Sequence, residues 1–342
     1  MVRGCRVVST QLTDDALIIT RRDIVRVMSS ADFLSAAEQA FRATASGKAY
    51  SPPPMHLPVE RGGFHAKGAS ISLERDYVAV KINGNFPGNP TELGLPTIQG
   101  AIVLCDGANG RMLAILDSVE VTLRRTAAAS ALAARLFARP DSRTLLICGC
   151  GEQGRAHAES LRAVLPIRRC LLWDRDQALA EELVVVLANS GMDAAAIRDL
   201  ASDAPSADVI ACCTSAREAY LELGLVAAGT FIAAVGADNP DKSEIAPALM
   251  AAATVVTDVV AQCVQMGDLH HAINAGAMAQ ADAHAELGQV LVGTRPGRSS
   301  AEEIIIFDST GVGVQDVCTA AAIYEQCVRT GLGSRVSLSA LP

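Results

Sequence analysis

Four short stretches hold side chains whose types and spacing could work together on a small molecule. The first is "GADNPDKSE", residues 236–244, directly after the apolar run "TFIAAV". Asp238 and Lys242 therefore stand at the end of what reads as a buried strand. Such a segment is either a solvated turn or a device that delivers a carboxylate to an atom gaining or losing a proton. The second stretch, "LLICGCGEQGRAHAESL", sets Gly149, Gly151 and Gly154 in G-x-G-x-x-G register between a strand and a helix. The first glycine suits a tight turn, and the second lets backbone approach a pyrophosphate. The third lets helix and strand pack closely, while the helix N-terminus favours negative charge. Asp174 ends the next strand, 25 positions after Gly149, where an acid holds ribose hydroxyls. Glu152, Gln153, Arg175 and Thr214 complete the candidate cofactor set. The acid favours NAD(H); the neighbouring Arg175 leaves NADP(H) as the second choice.

The remaining two stretches are cationic. "AVKINGNFPGNP" places Lys81 at a strand end, and "VTLRRTAAASA" places Arg125 among alanines. These are poor surface choices and good anion ligands. An arginine fork grips a carboxylate in two places, and lysine acts as a point charge. Taken singly, Lys81 could snorkel and Arg125 could pair with Glu120 or Asp117. Together with "GADNPDK" they outline a carboxylate site beside an acid. The histidines read differently. His270 and His271 are adjacent on a helix and should point apart, which suits structural roles. His157 suits packing as well as a phosphate contact, and His56 and His65 lie near the expected site.

Two kinds of element must hold these residues. The first third of the chain reads as two helices and a mostly antiparallel sheet. "TRRDIVRVM" has Thr20 as its N-cap, and "SSADFLSAAEQAFRATASG" ends at Gly47. "GFHAKGASIS", "YVAVKING", "TIQGAIVLCD" and "RMLAILD" read as strands. Alternation puts Tyr77, Ala79 and Lys81 on one face. An Ala-rich helix, 118–138, follows with Ser118 as its cap, and residues 1–20 read as a loose leader. From Arg143 short apolar strands alternate with Ala-rich helices, the rhythm of a doubly wound parallel sheet. The fold class is thus α/β. A Rossmann sheet, 140–309, is inserted in an α+β substrate and dimerisation domain formed by 1–139 and 310–342.

Composition narrows the partners. The net charge is −8 and no Lys/Arg cluster stands out, which argues against nucleic acid. No run of about 18 apolar residues would span a membrane, and the first residues lack a signal-peptide core. The ten cysteines sit mostly in apolar runs without a CxxC pair. They read as reduced core thiols of a cytoplasmic protein with no metal.

At these residues the chain resembles the ornithine cyclodeaminase/μ-crystallin family, over about residues 21–329. "VKINGNFPGNP", "GLPTIQGAIVLCDGANGRMLAILD", "TLRRTAAASALAA", "GCGEQGRAH", "GADNPDKSE" and "GRSSAEEIIIFDSTG" come in the family's order. The resemblance implies an NAD(P)-dependent enzyme of a small amino or imino acid, working as a homodimer. It implies that Lys81 and Arg125 bind the substrate carboxylate and that Asp238 handles its nitrogen, followed by Lys242. Ser309, Thr310 and Gly311 match the loop beside the nicotinamide. Two departures stand out. Met55 occupies the place of a family arginine after paired prolines, and Lys67 is the candidate to replace that charge. No acid lies between Phe64 and Leu73, where ornithine cyclodeaminase uses a glutamate to seat its diamine. With Met55 and His56 as further substrate contacts, the expectation is a reductase or dehydrogenase acting by hydride transfer at Cα. A cyclodeaminase-type ammonia-lyase and a μ-crystallin-like binding protein are the alternatives.

Overall fold

The computed structural model describes residues 15–338. Residues 1–14 of the expected leader lie outside them, and its Asp15–Ile19 is a strand instead.

Two eight-stranded sheets organise the chain. The first contains β1 (Asp15–Ile19), β2 (Ala49–Tyr50), β3 (Met55–Val59), β4 (Gly62–Ser72), β5 (Asp76–Asn85), β6 (Ile98–Asp106) and β7 (Met112–Asp117). The second contains β8 (Thr144–Cys148), β9 (Arg169–Trp173), β10 (Asp193–Ala196), β11 (Val209–Cys212), β12 (Phe231–Ala234), β13 (Thr254–Thr257), β14 (Ala285–Glu286) and β15 (Ile305–Asp308). Finally, β16 (Ser334–Ser337) returns to pair with β1 in the first sheet.

The first sheet runs β16-β1-β7-β6-β5-β4-β2, with β3 on β4, and is antiparallel except where β1 meets β7. Its register decides which residues can meet. Lys67 lies opposite Lys81, and His56 opposite His65, which lies opposite Asn83. Alternation along β5 buries Tyr77, Ala79 and Lys81 and exposes Val78, Val80 and Ile82. Met55 pairs with Ala66, itself opposite Ile82. It therefore belongs to the outer face, away from both lysines, and is 53% exposed. The period of two in β3 separates Met55 from His56, so Met55 leaves the set of expected substrate contacts.

The second sheet is parallel throughout, in the order β10-β9-β8-β11-β12-β15-β13-β14. Chain order reverses between β8 and β11, and the crevice beyond the strand ends there is where such sheets bind ligands. Both faces of the central strands are buried, in keeping with their apolar runs.

Two helices join the sheets. The helix Ser118–Phe137 is capped by Asp117, whose carboxylate accepts from Glu120 N at 2.8 Å. Ser118 is instead committed to Asn83, at 2.5 Å, which corrects the expected cap. Alanines 127–129, 131, 133 and 134 are buried along this helix, and their small side chains permit close packing. The closing helix Gly313–Thr330 is buried along most of its length and packs on β4, β5 and the helix Ser30–Ala45. The nine described cysteines are unpaired. Among the described residues no helix is long and apolar enough to cross a membrane.

Candidate active site

The glycine loop is built as its spacing implies. Gly149 has φ +94°, and a Cβ there would lie 2.7 Å from the Cys213 carbonyl oxygen. A side chain on Gly154 would collide with the Gly149 carbonyl. The helix Glu152–Val164 starts at Gly151 with no side-chain cap, so its first N–H groups lack that partner. Space over Gly151 is open, and Gln153 Oε1 is buried without a hydrogen-bond partner. These features suit a diphosphate at a helix N-terminus. Asp174 braces the same loop: Oδ2 accepts from Cys150 N at 2.7 Å and Oδ1 from Asp176 N at 2.9 Å. Glu152 and Arg175 are exposed beside it.

Opposite this loop, three cations converge on the start of the closing helix. Lys81 and Arg125 are buried, and both reach Asp316, at 2.7 and 3.1 Å. Arg125 also donates to Gln315 Oε1 at 2.7 Å. Neither Glu120 nor Asp117 is its partner; Glu120 pairs with Arg124 and Asp117 with Arg21. Lys67 donates to the Gly311 and Thr310 carbonyls at 2.7 and 3.3 Å. Burial lowers the Lys81 ammonium to about 7; Asp316 opposes that shift, and Arg125 and Lys67 add to it. Burial pushes the Asp316 carboxyl up, but Lys81 and Arg125 outweigh it and hold it below its ordinary value. Lys67 is lowered by burial and by Arg125, against the attraction of Asp316, Asp238 and Asp258.

Asp238 stands past the end of β12, half exposed, with Lys242 Nζ 2.8 Å away. It is not enclosed by the protein alone. Its charge reaches both Lys67 and His65 of the first sheet. Burial and the neighbouring His56 lower His65, whose ring lies 4.4 Å from that of His56. One acid from the parallel sheet thus acts on Lys67 and His65 of the first sheet.

The hydroxyls expected beside the cofactor are already committed. Ser309 and Thr310 both donate to Asp258 at 3.2 Å, and Gly311 N does so at 2.6 Å. Thr214 gives its N–H and its hydroxyl to Glu244, at 2.7 and 2.6 Å. Gly311, at φ +75°, lies under the Arg125 guanidinium, where a Cβ would come within 2.8 Å.

The other histidines are structural. His157 bonds Ser130 and the Gln153 carbonyl, and burial lowers it to about 4. His270 and His271 bond the Val264 and Lys242 carbonyls. Their rings meet edge to face at 5.2 Å instead of pointing apart.

Six polar residues here were not singled out from the sequence: Glu244, Asp258, Asp268, Asp308, Gln315 and Asp316. A signal existed for some. Asp258 and Asp308 end apolar strands as Asp174 does, and Asp316 interrupts an apolar helix start.

Known proteins resemble this chain over almost its full length. The ornithine cyclodeaminase/mu-crystallin family profile matches residues 14–331. Alanine dehydrogenase of Archaeoglobus fulgidus is 34% identical, covering 94% of this chain and 98% of that protein. A solved archaeal alanine dehydrogenase dimer with bound NAD superposes with a TM-score of 0.89 at 33% identity, covering 95% of this chain and 99% of that one. The Thermococcus litoralis Δ1-pyrroline-2-carboxylate reductase, solved with NADH and L-proline, gives 0.90 at 27% identity, covering 94% and 100%.

Proposed function

This chain belongs to the ornithine cyclodeaminase/mu-crystallin family, and on that premise we propose that it is an NAD(P)H-dependent reductase or dehydrogenase of a small α-imino or α-amino acid. One observation carries the reading: Lys81 and Arg125 gather on Asp316 with Lys67 beside them, and Asp238 acts on Lys67 from the parallel sheet. The relatives with alanine dehydrogenase and pyrroline-2-carboxylate reductase activity support it.

The glycine loop and Asp174 would hold the dinucleotide, with NAD(H) the preferred form and NADP(H) the second. When bound, it supplies or takes up the hydride at the substrate Cα. Lys81 and Arg125 hold the α-carboxylate, with Lys67 beside them. Three cations against Asp316 leave positive charge for that anion. Asp238 hydrogen-bonds the nitrogen, giving it a proton in reduction and accepting one in oxidation. Lys242, at 2.8 Å, orients the Asp238 carboxylate. Gripping both ends of a small substrate supplies orientation.

The strand β4 presents His65 and Lys67 and no acid toward this site. That favours a substrate without a distal amine over the diamine of a cyclodeaminase. The exposed apolar row Val78, Val80 and Ile82, with Leu57, Val59 and Phe64, supports a homodimer through the outer face of the first sheet. Unpaired cysteines support a cytoplasmic setting.

The test is a panel of cyclic and acyclic imino acids with NADH and NADPH, read by absorbance. A reductase consumes reduced cofactor; a lyase releases ammonia without net change; a binding protein does neither. Asp238→Asn should lower kcat by about 10²–10⁴-fold and leave NADH binding intact. Full activity in that variant would remove Asp238 from the mechanism.

A further inference from the structure

Asp238 sits on a short loop that has no regular structure of its own. Something must hold it in place. The loop end is pinned by Asp268, whose Oδ1 accepts from Glu244 N at 2.8 Å and Ile245 N at 3.0 Å. The loop start is pinned by Glu244 itself. Its Oε2 accepts from Gly236 N at 2.8 Å. Its Oε1 accepts from Thr214 N, Thr214 Oγ1 and Tyr220 OH at 2.7, 2.6 and 3.0 Å. One carboxylate therefore ties the strand end after β11 to the strand end after β12.

We propose that Glu244 is a positioning residue for Asp238, fixing the base of its loop against the neighbouring strand end. The proposal rests on Asp238 handling the substrate nitrogen. Every partner of the Glu244 carboxylate is a donor. Thr214 Oγ1 accepts from Ala216 N at 3.1 Å, so its own proton points to Glu244. Glu244 is fully buried and, among the described residues, forms no ion pair. A Cβ on Gly236 would come within 2.5 Å of the Glu244 carboxyl, so the two groups are closely packed. Asp238 N then bonds the Gly236 carbonyl at 3.0 Å. A shift at Gly236 thus passes straight to Asp238.

The donor-only surroundings make a neutral isostere informative. Glu244→Gln keeps the shape but has one oxygen and one amide group. With its oxygen toward Thr214 and Tyr220 it keeps three bonds. Its NH₂ must then face Gly236 N–H, donor against donor. The substitution releases the base of the Asp238 loop and leaves the rest of the brace in place.

The experiment uses the full chain with NADH and an imino acid that the wild type reduces. Glu244→Gln and Glu244→Asp should lower kcat by about 10- to 100-fold, the order expected for a displaced catalytic group. KM and NADH affinity, read by nicotinamide fluorescence, should stay unchanged. Hydrogen exchange at Gly236 should accelerate, and Tyr220→Phe, which keeps the Gly236 tie, should retain kcat. Unchanged kcat in Glu244→Gln would overturn the proposal. So would a loss of kcat that tracks loss of NADH affinity and of melting temperature. If Glu244→Gln does not fold, Glu244→Asp carries the same test, because its shorter arm also surrenders Gly236. If the wild type reduces no imino acid, the functional reading fails, and hydrogen exchange at Gly236 still decides whether Glu244 holds the loop.

Discussion

Two buried charged clusters flank the crevice, and they are built by opposite rules. On the first-sheet side, Lys81 and Arg125 hold one acid, Asp316, in direct ion pairs, and Lys67 adds its charge from the Thr310 and Gly311 carbonyls. On the parallel-sheet side, Glu244, Asp258, Asp268 and Asp308 share one sign. They are held mainly by backbone N–H and hydroxyl donors. The first cluster has more cation than its own acid neutralises, so it can receive an anion. The second spends its oxygens on the loops after β11, β12, β13 and β15, so it frames the site and leaves the substrate to others. Like-charge proximity there is eased because Glu244, Asp268 and Asp308 hold their protons more tightly than ordinary carboxyls. Burial and the Asp268 charge raise Glu244 to about 7, and burial with Asp268 and Asp258 raises Asp308 well above its ordinary value.

The contrast predicts unequal responses to losing one acid. Asp316→Leu leaves two buried cations without their counter-charge. It should cost about 3–5 kcal/mol, the usual penalty for breaking a buried pair, measured by urea unfolding. A cost below about 1 kcal/mol would mean that Lys81 and Arg125 find water or other partners, and that the cluster is less dry than its burial implies.

A second consequence concerns pH. Lys81 must be protonated to hold a carboxylate, and burial lowers it to about 7. Above that pH the free enzyme loses the charge, so KM for the imino acid should rise by up to about tenfold per unit. The groups facing Lys81 are Asp316 on the closing helix, Arg125 on the helix Ser118–Phe137 and Lys67 on β4. Asp316 favours the charged lysine. Asp316→Asn should therefore move the rise in KM to lower pH. A KM that is flat between about pH 6 and 9, roughly the span of that titration, would show that Lys81 does not hold the substrate.

The two clusters also differed in how far sequence could find them. Lys81 and Arg125 were visible because a cation on a buried strand face or among alanines violates the local pattern. The glycine loop was visible because its spacing matches what a diphosphate needs. Most of both sheets followed from alternation and from the βαβ rhythm, but β1 lay within the expected leader and β16 past the closing helix. Glu244 lay inside the quoted "GADNPDKSE" and still gave no sign, because a glutamate after lysine and serine fits a solvated turn. Asp316 left only the interruption of an apolar helix start, and an acid in a first helical turn is otherwise explained by the helix dipole alone. Its role depends on a contact across 191 positions with Arg125. The wrong face for Met55 followed from placing a residue by its distance from prolines, when strand register decides which side it takes.

The smallest effect is the most discriminating test of the comparison. Asp308 accepts from Leu269 N at 2.9 Å and has no cation among its hydrogen-bond partners. Asn can offer an oxygen to the same N–H, so Asp308→Asn should cost no more than about 1 kcal/mol. The sign of its pH dependence is fixed. The folded wild type holds a proton that the unfolded chain releases near pH 4, the approximate ordinary value for Asp. Its stability is therefore greatest below that value and falls as pH rises toward the raised folded value. The Asn variant lacks this slope. Relative to wild type it should gain stability with rising pH, reaching parity or better near the alkaline end of urea unfolding series. A loss comparable to that of Asp316→Leu at every pH would mean that Asp308 works as a needed charge. The parallel-sheet acids would then obey the same rule as the cation cluster, and their distinction as a neutralisable frame would fall.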